Sequence, residues 1–153
     1  GSCTIPEISF GLGFDGRKET SFEPTNQADY NHGSADAIAI ITQFMCNNLV
    51  NSCGADATAQ ATCAAAETAA NAVGGGKTGA AADTFNGFFG IATNFRDIEA
   101  VDDQGNPIAG TTGGSVSVAV TGAAETGAAA TAAATAVAAA TYVPAMLSVI
   151  STD

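Results

Sequence analysis

Apolar residues change their spacing several times along this chain, and each spacing predicts a different element. Between residues 4 and 33, Phe10, Phe14, Phe22 and Tyr30 are scattered among Pro6, Pro24 and turn-forming Gly and Asn. That pattern predicts extended or looping backbone anchored by aromatic rings, and no helix. From there the period lengthens: Ile38, Ile41, Met45 and Leu49 recur every three or four positions with Phe44 beside them. A helix is therefore expected over about 36–50, with Ser34 as its cap. A turn at 51–55 leads to a second, Ala-rich helix from Asp56 to Val73, which Gly74-Gly75-Gly76 should stop. These two form a helical hairpin in this reading. A third helix, capped by Thr78 and running to about Ala92, would put Ala81, Phe85, Phe88 and Ala92 on one side, with Phe85 and Phe88 plugging the core.

Beyond this the pattern fades. Residues 97–109 are polar and turn-rich, Ser115 to Val120 alternate as a half-buried strand would, and the Ala density from 123 to about 143 favours helix up to Pro144. Two readings stay open for that last stretch: a packed helix, or an O-glycosylated stalk. The expected fold is mainly α: a disulfide-stapled helical hairpin or bundle with an extended N-terminal segment and a short strand near 115–120. A cysteine-stapled helical domain would occupy 3–110, with an Ala/Gly/Thr-rich element at 111–153 packed on it or on a neighbouring subunit. The tail has too few large apolar side chains for a membrane span.

Composition narrows the function classes. Only 12% of residues are charged, there is one His and no Trp, and 15 acidic residues face four basic ones for a net charge of −11. Such a field repels phosphate backbones and anionic lipid headgroups, so nucleic acid and anionic membranes are poor partners. Cys3, Cys46, Cys53 and Cys63 include no CxxC or CxxH pair, which argues for two disulfides and a secreted, oxidising setting over zinc. Gly1-Ser2 reads as an expression-tag remnant, placing Cys3 near a mature N-terminus after signal-peptide removal. Cys53 lies in the turn before the second helix and Cys63 about 10 Å along it. Since bridged Cα atoms lie within about 7 Å, a Cys53–Cys63 bond is disfavoured, and of the three possible connectivities Cys46–Cys63 across the hairpin with Cys3–Cys53 at the N-terminus is the favoured one.

Several motifs resemble known chemistry without carrying it. Gly11-Leu12-Gly13-Phe14-Asp15-Gly16 matches G-x-G-x-x-G, but no helix follows to receive a pyrophosphate. Gly76-Lys77-Thr78 ends like a phosphate loop, yet Asn71 stands where its first glycine belongs. Asp102 to Asn106 offers oxygen ligands around a glycine without the terminal Glu of a calcium loop. His32 is a metal or proton-transfer candidate whose simpler role is to hold its own loop. Carboxylates suited to paired acid-base work occur at Asp29, Asp36, Asp102 and Asp103, with no spacing that singles out a pair. No catalytic residue, cofactor or metal is expected.

Residues 13–22 (Gly-Phe-Asp-Gly-Arg-Lys-Glu-Thr-Ser-Phe), 31–35 (Asn-His-Gly-Ser-Ala), Ile40 to Phe44, Cys46 and Cys53-Gly54-Ala55 resemble a group of small secreted fungal proteins of largely uncharacterised function. The resemblance covers about residues 3–110. It implies a fungal extracellular or cell-wall location and supplies no catalytic residues. Two functions follow as expectations. One is a non-catalytic structural protein that self-associates in a matrix or wall as a homo-oligomer, using the small side chains of 123–143 and the strand at 115–120. The other is a module that binds a glycan, such as wall polysaccharide, or a peptide through Phe14, Phe22, Tyr30 and their Asn, Gln and Arg neighbours.

Overall fold

The computed structural model describes residues 1–113, so the strand expected at 115–120 and the helix expected at 123–143 lie outside the described residues. Within them the protein is mainly helical. The aromatic-anchored N-terminal segment folds into two short strands, β1 (Ile8–Gly11) and β2 (Ser21–Pro24), paired antiparallel with Phe10 opposite Phe22 and Gly11 opposite Ser21. Alternation sends Ile8, Phe10 and Phe22 into the core and turns Ser9 and Glu23 outward, as strand geometry requires.

Three helices follow: α1 (Ile38–Asn51), α2 (Ala57–Ala72) and α3 (Gly79–Phe88). In α1 the periodic set Ile38, Ile41, Met45 and Leu49 is buried together with Thr42. Helix α2 buries only small side chains, Cys63, Ala66 and Ala70, and packs on α1 on one side and α3 on the other. The disulfides join Cys3 to Cys53 and Cys46 to Cys63, with Cα separations of 5.3 and 5.6 Å. These are the same two pairs that the helix geometry favours.

Two helix ends differ from expectation. Ser34 does not cap α1, which opens after Ala37 in an extended conformation without a side-chain cap. The reason is tertiary: Ala35 exchanges both backbone hydrogen bonds with Phe22 at 2.8 Å, holding residues 34 and 35 extended against the outer edge of β2. Helix α3 stops at Phe88 instead of Ala92. Gly90 is left-handed (φ 78°), and the amides of Gly90 and Ile91 return to the carbonyls of Gly87 and Asn86, a closed C-terminal turn. Ala92 is exposed, and all ten residues of α3 are buried instead of one face, because the helix lies between α2, β1 and the turn at Phe95–Asp97. Asp56, in contrast, caps α2 by accepting from the Ala59 amide at 2.8 Å.

Glycine at 79 answers a close approach. A Cβ there would collide with the carbonyl of Phe95, so only Gly lets the first turn of α3 meet the 95–97 turn. The polar side chains that α3 brings into this sandwich are all hydrogen-bonded. Asn86 accepts from the Ile8 amide at 2.8 Å and donates to the Ile8 carbonyl at 2.9 Å, acting as a one-residue strand on the free edge of β1. Asp83 accepts from Thr93 Oγ1 and from the amides of Phe95 and Arg96, at 2.6–2.8 Å. Both edges of the two-stranded sheet are therefore occupied.

Candidate functional site

The three rings expected to bind a ligand part company in the structure. Phe22 and Tyr30 are 0% exposed and belong to the core, so they cannot present a face to a ligand. Phe22 packs on Phe10 with ring centroids 4.8 Å apart, which is where the strand register places two facing apolar positions. Tyr30 drives its ring inward and donates its hydroxyl to the Thr4 carbonyl at 2.6 Å; burial, and then the nearby Asp29, push its pKa up to about 12. Only Phe14 stays half-buried at the surface, on the loop between the strands.

That loop meets the segment 32–36 in a hydrogen-bonded corner. Asp15 Oδ2 accepts from both the amide and the hydroxyl of Ser34, at 2.6 and 2.7 Å. These bonds, the backbone one first, hold the Asp15 carboxyl below its ordinary range, and Arg17 adds to the effect. Arg17 donates through Nε to Ser34 Oγ at 2.9 Å, through a terminal nitrogen to the Ser34 carbonyl, and through the other to Glu19 at 2.9 Å. Asp15 is the one non-glycine residue of positive φ (53°) among the described residues, and Gly13 and Gly16 on either side are left-handed too. Gly13 and Gly16 thus serve a tight turn that aims Asp15 at Ser34, not a phosphate cradle.

Ser34, Asp15 and His32 are near one another in this corner, yet not in a catalytic order. The Ser34 hydroxyl donates straight to Asp15, while His32 Nδ1 faces the Gly33 carbonyl at 2.7 Å and its ring lies against Phe44. Imidazole does not stand between nucleophile and carboxylate, as a relay would need. Three of the four remaining carboxylate candidates are engaged, and Asp103 makes no side-chain hydrogen bond among the described residues. Asp29 accepts from the Thr4 amide, Asp36 pairs with Lys77 at 2.6 Å, and Asp102 accepts from the amides of Gln104 and Asn106 to close its turn. Among the described residues no group of three or more His, Cys, Asp or Glu is placed to hold a metal ion.

Beside the corner lies the outer face of the sheet, carrying Ser9, Gly11, Ser21 and Glu23. Burial, and then repulsion by Asp15, raise the Glu23 carboxyl above its ordinary range. Asp15 and Glu23 thus shift in opposite directions within one locality. The periodicity of the chain did not point to Glu23 or Ser21. Their signal was the two-residue strand alternation, Ser21 and Glu23 flanking the buried Phe22, which is hard to see in a strand of four residues.

No protein-family model matches this chain, and neither a characterised protein nor a solved structure is significantly similar to it.

Proposed function

We propose that the protein is a secreted, non-catalytic surface-interaction module that binds a hydroxyl-rich wall polysaccharide through the corner built by residues 12–23 and 31–36. One observation carries this reading. The two stretches that resemble small secreted fungal proteins, 13–22 and 31–35, fold against each other into a single hydrogen-bonded corner, and most of its polar side chains lie outside the core. Asp15, Arg17, Glu19 and Ser34 bond to one another and so fix the loop that carries the half-exposed Phe14 ring, and a rigid ring with polar neighbours is what a sugar surface needs.

Other features support it. Two disulfides suit an oxidising, extracellular setting, and none of the helices in the described residues is long and apolar enough to cross a membrane. A net charge of −11 disfavours anionic ligands and leaves neutral glycans as the suited class. Self-association remains the rival function, and its supporting segments at 115–143 lie outside the described residues. The test is sedimentation with insoluble chitin and β-1,3-glucan particles, alongside mass measurement over a concentration series. Retention on a polysaccharide by a monomer is the expected result. A protein that stays in the supernatant with every polysaccharide, and forms concentration-dependent oligomers, would replace this reading with the assembly one.

A further inference from the structure

The outer face of the two-stranded sheet holds one polar atom that the fold leaves unanswered. Ser21 is 0% exposed, and its hydroxyl is the single buried side-chain polar atom with no hydrogen-bond partner among the described residues. A hydroxyl buried in that state gives up its hydrogen bonds to water and gains none, so the position calls for a partner. Its direction follows from the register. Phe22 points into the core, so Ser21 points to the opposite face, which it shares with its cross-strand partner Gly11 and with Glu23 and Ser9.

The ring of Phe14 lies on this same face, against Gly11. Gly11 has no positive φ, so its backbone does not require glycine, yet a Cβ there would meet the tip of the Phe14 ring at 4.0 Å. A bare glycine inside a strand marks a place kept free for something to approach. Phe14 thus lies against that bare strip, beside Gly11, on a turn whose left-handed Gly13, Asp15 and Gly16 define its path. Glu23 borders the strip, half-buried, and Ser9 is engaged with Thr25 at 2.7 Å.

We propose that this strip is a saccharide subsite: Phe14 swings aside and then stacks on one sugar ring, the Ser21 hydroxyl receives its missing partner from a ring hydroxyl, and Glu23 accepts from a second. The inference rests on the polysaccharide reading above and gives it a place. Its ligand is a neutral sugar residue, since Asp15 and Glu23 repel anions and Arg17 is already spent on Ser34 and Glu19. A ring hydroxyl both donates and accepts, which suits a floor made of one hydroxyl and one carboxylate.

Ser21→Ala distinguishes this from a structural role, because removing an unpaired buried hydroxyl does not harm the free fold. The expected result is an unchanged or raised melting temperature together with about a tenfold loss of affinity for soluble chitohexaose or laminarihexaose in calorimetric titration, whichever the wild type binds. Gly11→Val, which fills the strip, should abolish binding while the protein stays folded by circular dichroism, and Phe14→Ala should weaken it. Wild-type affinity in both Ser21→Ala and Gly11→Val would overturn the subsite and leave the polysaccharide reading standing. A wild type that binds neither the oligosaccharides nor the parent polysaccharides would overturn both.

Discussion

Asn86 illustrates how much one side chain can settle. Its amide meets both the N–H and the C=O of Ile8, so Asn86→Leu leaves two buried backbone groups without partners. A loss of about 3 kcal/mol in denaturant unfolding is expected, well above the effect of an ordinary surface change. Titratable residues make a second prediction, with signs that oppose across the pH range. Asp15, Asp29 and Asp102 have carboxyls lowered chiefly by bonds from backbone amides, so their contribution is present above the unfolded value of 3.8 and is lost as pH falls below it. Tyr30 is raised, so its contribution is full below 10.0 and drains away as pH climbs towards about 12. The melting temperature should therefore fall at both extremes, and a Tyr30→Phe variant should lose part of the alkaline fall; a flat alkaline limb in the wild type would contradict this. At this scale the sequence misleads most. Aromatic residues on loop-like sequence read first as anchors and second as ligand surface, and Phe22 and Tyr30 are anchors, turned inward because paired strands, invisible to helical periodicity, gave them a core to enter.

For the helices, existence was legible and boundaries were not. Ile38, Ile41, Met45 and Leu49 announce α1 because one buried face repeats at the helical period, and Asp56 announces α2 because a side-chain cap is a local bond. Ser34 failed as a cap since a contact distant in sequence, Ala35 with Phe22, holds that segment extended. Asp56→Ala is thus expected to cost about 1 kcal/mol, while Ser34→Ala should leave the helical circular dichroism signal unchanged and loosen only the 13–17 turn, seen as faster amide exchange at Arg17. Helix α3 was read as amphipathic and is buried all round, for its polar members Asp83 and Asn86 are consumed by neighbouring backbone. The same tight seating makes Gly79→Ala a sharp test. Its methyl group would strike the Phe95 carbonyl, so the variant should unfold at lower denaturant despite alanine's better helix propensity. A more stable variant would show that the 95–97 turn yields easily.

Across the whole molecule, the disulfides set the scale of stability. Cys3–Cys53 closes a separation of 50 residues and Cys46–Cys63 one of 17, so chain entropy assigns them about 4 and about 3 kcal/mol respectively. The two closed loops overlap over 46–53, which makes the sum smaller than the parts. Replacing Cys3 and Cys53 by Ala should cost more than replacing Cys46 and Cys63, as read from unfolding midpoints; the reverse order would mean that native packing at the α1–α2 contact outweighs the unfolded-state effect. The cysteine pairing was legible because helix rise sets Cys63 away from Cys53 and a helical hairpin brings Cys46 to Cys63. The candidate site was legible only as a cluster of residues, since its assembly depends on the loop at 12–20 reaching the segment at 31–36, a contact that no local pattern encodes.

The bond between Asn86 and Ile8 also gives the molecule a chemical memory. Asn86 precedes Gly87, the dipeptide in which an asparagine side chain is most readily attacked by the following backbone amide and converted to aspartate or its isomer. Inside α3 the helix and burial hold those atoms out of reach of that reaction. An unfolded chain has no such protection, and an acidic residue at 86 would set an oxygen against the Ile8 carbonyl where a donor stood. Time spent unfolded is thereby recorded at one position, and chains that wait too long lose the means to close the edge of β1 when they try to return.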